Sequence, residues 1–235
     1  MAVGESDAAG APEATAIADA DAGNGPATYC STLVPAATFC ADFDEPGNAS
    51  PSAGWDTSSV DGGASVSVTV STTTYESAPR SLHVTATGGG SGVVTKRFAM
   101  NSKIRVDLDV LFTAHVASPA AVAPLRLTPP VYPGMDVYLF AASAGIYFQE
   151  YGNDFSTMLP SPTLNAWHHV IVSITTIGTT STIDASFDGT AAWSGHTLAD
   201  TWPAPTTATL DVGLPDLYQA ADAEVFVDNV VVRVQ

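Results

Sequence analysis

From Phe39 onward, hydrophobic and polar residues alternate with a period of two, the signature of strands that bury one face. Val66-Ser67-Val68-Thr69-Val70 sets valines against hydroxyls, and Ser81-Leu82-His83-Val84-Thr85-Ala86 repeats the pattern. Ile104–Val110 is the clearest case, with apolar residues on one side and Arg105, Asp107 and Asp109 on the other. Further strands are predicted over Ala123–Leu127, Val137–Ala141, Ile146–Tyr151, His168–Thr175, Thr182–Phe187, Ala208–Val212 and Glu224–Val234. Turn chemistry separates them: Asp61-Gly62-Gly63, Gly88-Gly89-Gly90, Pro129-Pro130, Gly152-Asn153-Asp154, Ile177-Gly178 and Asp188-Gly189. Gly88–Gly90, flanked by Thr and Ser, reads as a flexible hairpin end. Nowhere does a capped helical period emerge. Many short strands with no helices between them predict an all-β protein, an antiparallel β-sandwich or jelly roll.

Composition divides the chain near residue 29. Residues 1–29 consist mainly of Ala, Gly, Asp, Pro and Thr, with Glu5, Asp7, Glu13, Asp19 and Asp21 and no base. Such a segment buries too little apolar surface to offset its ordering entropy, so a disordered tether is expected before a domain at 30–235. It has no charged n-region or apolar h-region, and a secretory or lipid-anchor signal cut off upstream is the expectation. Secretion or tethering to the cell surface follows from that. No apolar stretch approaches the roughly 20 residues that cross a bilayer, so no membrane insertion by the chain is expected.

Seven Lys and Arg face 24 Asp and Glu, a formal charge of −17. Nucleic acid is thereby excluded as a partner, because phosphate contacts need clustered bases. Anionic membrane surfaces are disfavoured for the same reason. The two cysteines, Cys30 and Cys40, flank a short loop that a disulfide closes, as an oxidising compartment permits. Their spacing suits neither a CxxC redox element nor a zinc site.

Trp167-His168-His169-Val170-Ile171-Val172 resembles the Trp-His-x-Val strand of laminin G-like and pentraxin-like domains, with Phe187-Asp188-Gly189-Thr190 in place of the Asp-Gly strand that follows there. Phe39-Cys40-Ala41-Asp42-Phe43-Asp44-Glu45-Pro46 and Val225-Phe226-Val227-Asp228-Asn229-Val230-Val231-Val232 resemble the first and last strands of concanavalin A-like jelly rolls. Ala78-Pro79-Arg80-Ser81-Leu82-His83-Val84 is similar to the second strand of many carbohydrate-binding modules. In order, these segments span most of residues 39–235, and the resemblance implies a concanavalin A-like fold. That fold hosts lectins, binding modules, glycoside hydrolases and polysaccharide lyases, so function rests on the site.

Retaining hydrolysis needs two carboxylates about 5 Å apart. The Glu-x-Asp-x-x-Glu strand of the glucanases of this fold is missing here, and Glu5, Glu13, Glu45, Glu76, Glu150 and Glu224 are scattered. Asp107 and Asp109 share a strand face with Lys103 and Arg105 and read as a solvated row of alternating charge. Ile146–Tyr151 is a distant echo of the Tyr-Phe-Lys-x-Gly strand of jelly-roll alginate lyases, without its Lys. A binding module is favoured over an enzyme.

The best binding surface is the hairpin over 135–151. Asp136, Tyr138 and Phe140 share one face of its first strand; Tyr147, Gln149 and Tyr151 share one face of its second. Aromatic rings stack on sugar C–H faces while Gln bonds hydroxyls, a mixture that suits a neutral glycan. Arg126 and His83, on polar faces of other strands, are candidates for the same groove. His168 and His169 are adjacent and point to opposite faces, so one packs inward and one stays exposed. Trp55, Trp193 and Trp202 serve either as ligand platforms or, more commonly for loop tryptophans, as covers over the sandwich edge. By analogy with jelly-roll modules, Asp42 and Asp44 on the first strand and Asp228 on the last are candidate ligands of a structural Ca²⁺, which takes hard oxygens. The expectation is an extracellular module that binds polysaccharide or glycan. A lyase or hydrolase of the same fold, or a structural surface protein without a small ligand, are the alternatives.

Overall fold

The computed structural model describes residues 28–44, 50–62, 65–114, 122–128, 137–142, 145–150, 155–199, 206–215 and 222–235, with the backbone alone at 122–125, 137–138, 140–142, 155 and 206. A 3-10 turn at Tyr29–Thr32 precedes the strands. In chain order these are β1 (Phe39–Ala41), β2 (Thr57–Asp61), β3 (Ser65–Ser71), β4 (Ser81–Thr87) and β5 (Ser91–Met100). Next come β6 (Lys103–Phe112), β7 (Val122–Thr128), β8 (Val137–Ala142), β9 (Gly145–Glu150) and β10 (Phe155–Leu159). The last are β11 (Trp167–Ile177), β12 (Thr180–Phe187), β13 (Thr190–Thr197), β14 (Thr206–Leu214) and β15 (Ala223–Val234).

Every pairing is antiparallel, and the strands form two sheets. The first runs β13-β12-β11-β6-β15-β4-β3, with β1 added alongside β15. The second runs β10-β9-β8-β7-β14-β5-β2. The protein is therefore the all-β antiparallel sandwich that the alternation predicts. The inner faces carry that alternation: Ile104, Val106, Leu108 and Val110 from β6, Val170, Val172 and Ile174 from β11, and Ile146 and Phe148 from β9 are all but fully buried. Burial at about 25 cal/mol per Å² of apolar surface is the main drive for the two sheets to close on one another.

One expectation changes. The three glycines at 88–90 do not end a hairpin, because β4 lies in the first sheet and β5 in the second; they carry the chain between sheets. The path is tight: a Cβ on Gly90, at φ +111°, would sit 2.8 Å from the carbonyl oxygens of Asp61 and Gly62. Tyr29 opens the 3-10 turn, and burial together with Asp109 and Asp107 raises its phenol above the ordinary range.

The Cys30–Cys40 disulfide forms as expected and ties this turn to β1. Cys30 also donates its backbone N–H to Asp42 Oδ2 at 2.8 Å. Near its middle β15 bulges at Asp228 and Asn229, where Asn229 takes φ +50° and the pairing with β6 shifts. The bulge turns a buried carboxylate toward the loop before β4, which positions the metal candidate below.

Candidate functional site: the outer face of the second sheet

Period-two geometry turns Ile146, Phe148 and Glu150 of β9 inward and leaves Tyr147 and Gln149 half-buried on the outer face. Register then decides what stands beside them. Gln149 lies opposite Tyr138 of β8 and Ser156 of β10; Tyr138 lies opposite Arg126 of β7. Arg126 lies opposite Asp211 of β14, and Asp211 opposite Thr95 of β5. One polar row therefore crosses the sheet from Thr95 to Ser156. In the next row Tyr147 lies between Phe140 and Met158, and Met158 is exposed.

Charge in that row is neutralised internally. The guanidinium of Arg126 donates to Asp211 Oδ2 through both Nε, at 2.7 Å, and Nη2. Asp211 is buried, and its other oxygen accepts from Thr95 Oγ1 at 2.7 Å. A paired guanidinium on the same face as an amide and the Tyr147 ring can bond sugar hydroxyls and stack on sugar rings without presenting net charge.

Of the six candidate binding residues, the structure thus gathers Arg126, Tyr138, Gln149 and Tyr147 on neighbouring strands of one sheet. The side chain of Tyr138 and the whole of Tyr151 and Asp136 lie outside the described residues. His83 does not join them. It stands on the outer face of β4 in the first sheet, 2.8 Å from Glu224 Oε1 and stacked on Phe226 at 4.3 Å. The reason is topological, since β4 pairs with β3 and β15 and never with the second sheet. Asp211 and Thr95 were missed; an arginine alone on a strand face is the signal that some carboxylate must face it.

The two adjacent histidines divide as expected. His168 is buried, with Nδ1 2.6 Å from Asp188 Oδ2 and Nε2 2.8 Å from the Thr163 carbonyl. His169 is exposed and bonds Asp109 Oδ1 at 2.7 Å, which raises its imidazole above the usual value. Trp55 and Trp193 are both buried, which makes them covers over the core. Trp202 lies outside the described residues.

The acidic candidates are all buried. Asp228 accepts the backbone N–H groups of Glu76 and Ser77 on Oδ2, both at 2.9 Å, and that of Asn229 on Oδ1 at 2.8 Å. Asp44 Oδ1 accepts from the Arg80 N–H at 2.9 Å. Ser77 Oγ lies 3.5 Å from Asp44 Oδ2 and 3.4 Å from Asp228 Oδ2, so these two carboxylates meet at one serine. Asp42 instead faces the Cys30 N–H. Among the described residues, no three His, Cys, Asp or Glu side chains converge as a metal site would require. Desolvation pushes the Asp228 carboxyl up to about 8, with Asp44 adding to it. Desolvation likewise takes Asp44 up to about 6, with a contribution from Asp42. Two buried carboxylates there stand beside the neutral oxygens of Ser77 and Asn229.

No family model matches the sequence, and no curated protein matches it. Solved structures do. The cellulose-induced protein Cip1 superposes with a TM-score of 0.61 at 14% identity, over 84% of this chain and 97% of that one. A chain from work on endo-acting O-glycanases that initiate mucin breakdown, from prominent members of the human gut microbiota, matches with a TM-score of 0.56 at 15% identity, over 85% of this chain and 100% of that one. A Trypanosoma rangeli sialidase bound to the inhibitor DANA matches with a TM-score of 0.51 at 17% identity, over 73% of this chain but 28% of that one. At such identities the likeness is one of fold alone.

Proposed function

We propose that the protein is an extracellular glycan-binding module of the concanavalin A-like kind, laying a neutral sugar chain across the outer face of the second sheet. The observation that carries this reading is the register row Asp211–Arg126–Tyr138–Gln149, with Tyr147 in the row beside it. Such a row offers hydroxyl-bonding groups, an aromatic surface and a guanidinium already neutralised by Asp211. The names of the structurally similar proteins, among them a cellulose-induced protein and a sialidase, direct the search for a ligand to polysaccharides and glycans. The disulfide is consistent with a place outside the cell.

Titration with a panel of neutral oligosaccharides tests the proposal. One of them binds, Tyr147→Ala weakens it roughly tenfold or more, and Gln149→Ala several-fold, as loss of a ring contact or a hydrogen bond entails. Neither variant moves the unfolding midpoint, because both side chains lie outside the core. Binding unaffected by either variant, or no binding to any member of the panel, overturns the reading. Release of new reducing ends or of unsaturated sugars would replace it with a hydrolase or a lyase.

A calcium ion held by Asp44 and Asp228 completes the proposal, with Asp42 behind them anchoring the Cys30 segment. The ion would join the loop after β1 to β15 and supply the positive charge that two adjacent buried carboxylates need. Calcium added to chelator-treated protein raises the unfolding midpoint, since a ligand that binds only the folded state stabilises it by mass action. A midpoint that ignores calcium removes the ion from the account.

A further inference from the structure

The outer face of the first sheet carries an open trough of about 350 Å³ that the proposed glycan site does not use. Lys103 and Arg105 of β6 form one wall, Ser194 of β13 the other, and Ser173, Ser186 and Asp184 lie between them. From β6 to β13 is three strand spacings, about 14 Å, and small side chains leave that width unfilled.

Charge is arranged unusually here. The chain has only seven Lys and Arg. Three of them stand in this corner, because register sets Arg105 between Ser173 and Arg233 with Lys103 two residues away. Arg105 grips Asp107 with Nε at 2.9 Å and Nη2 at 2.6 Å, and Arg233 Nη1 lies 3.7 Å from the same carboxylate. That leaves most of the five N–H donors of Arg105 unspent. Asp184 Oδ1 accepts the Gly195 N–H at 2.7 Å. The Lys103 ammonium makes no hydrogen bond or ion pair among the described residues. A second group lacks a partner: Ser173 Oγ, in a side chain only 5% exposed, has no hydrogen bond among the described residues. A buried hydroxyl in that state is destabilising unless a partner arrives.

We propose that this trough is a second saccharide site, taking a sugar chain that bears a carboxylate or a sulfate, with the anionic group on Lys103 and Arg105 and the ring over Ser173, Ser186 and Ser194. Such a site is independent of the glycan face on the second sheet and lies on the opposite side of the sandwich. A net charge of −17 repels anions elsewhere and so directs them to this corner.

Isothermal titration with a galacturonate hexamer, a sulfated hexamer and a neutral hexamer of the same length is the test, on the full chain and on Lys103→Glu, Ser194→Trp and Tyr147→Ala. One anionic hexamer binds, and which of the two binds identifies the anionic group. Lys103→Glu weakens that binding at least tenfold. Ser194→Trp does the same by filling the trough from an exposed edge position, whereas Tyr147→Ala leaves it unchanged. Should Lys103→Glu fail to fold, Ser194→Trp still decides the matter. The proposal is overturned if neither anionic hexamer binds at concentrations on the order of 1 mM. It is overturned equally if binding survives both trough variants, or if Tyr147→Ala abolishes it.

Discussion

In the presence of a chelator, the unfolding midpoint falls as the pH rises from about 5 to about 8. The cause is Asp228, whose carboxyl is pushed up to about 8 from an ordinary 3.8 by burial and the neighbouring Asp44. Below pH 4 the group is protonated in both folded and unfolded chains and contributes nothing. As the pH climbs, the unfolded chain releases its proton freely while the folded chain must hold it or bury a charge. The resulting destabilisation grows until the pH passes the folded value. Asp44, raised to about 6, acts in the same direction over a narrower window. His169 adds to the effect, since the stabilisation from its bond to Asp109 is full below the unfolded value of 6.5 and fades as the pH rises through its raised folded value.

At 1.36 kcal/mol per pH unit the ceiling for Asp228 between pH 5 and 8 is about 4 kcal/mol, which relaxation reduces to a few. A domain of this size shifts by roughly 2–4 °C per kcal/mol, so a fall on the order of 10 °C is expected. If calcium binds as proposed, a saturating concentration flattens the curve, because the cation would take the proton's place between the two carboxylates. Calorimetry at a series of pH values decides, and a midpoint level or rising from pH 5 to 8 would discard the account.

Phe148→Ala produces the other large effect. Phe148 is fully buried on the inner face of β9 and reaches across to Trp193 at 5.9 Å between ring centroids. Its removal loses transfer free energy and leaves a cavity that the two sheets cannot close, about 3–5 kcal/mol. The corresponding fall is roughly 6–20 °C in the midpoint. On the proposed reading glycan binding declines as well, because Tyr147 and Gln149 sit on either side of Phe148 and share its backbone. Tyr147→Ala would be the contrast, losing binding at constant stability. Denaturant titration of both variants beside a binding isotherm separates the two cases. A loss below about 1 kcal/mol for Phe148→Ala would mean that β9 does not seal the core.

Strands with a clean inner row were legible in the sequence: β3, β4, β6, β11, β12 and β15 all fall where the alternation places them. Others were not. The inward row of β5 is Gly92, Val94, Lys96, Phe98 and Met100, and a lysine in its middle breaks the pattern. Its ammonium escapes at the end of the sandwich to Gly54 O and Asp56, both at 2.9 Å, which no local pattern foretells. β2 is exposed at every position and so has no apolar row to recognise.

Glu150 occupies a core position on β9, and its burial depends on the Ala199 N–H arriving from 49 residues away. The hairpin face of Tyr147 and Gln149 was visible because it is local. Its extension to Arg126 was not, because that depends on the register of β7 with β8, where the pairing shifts between Val122 and Leu125. For the same reason nothing local could send His83 to the opposite sheet or bring Asp211 to Arg126. Non-local pairing decides both.

The topology also dictates an order of assembly. In each sheet a late strand joins earlier ones: β14 lies between β7 and β5, and β15 between β6 and β4. Until residues from Thr206 onward have emerged from the ribosome, strands β2–β5 and β6–β13 have nothing to hold them together in either layer. A closed sandwich therefore cannot form before β14 and β15 have been made. Until then the earlier strands stand in two unjoined groups with unpaired edges, and β14 and β15 act as the clasps that close the two layers.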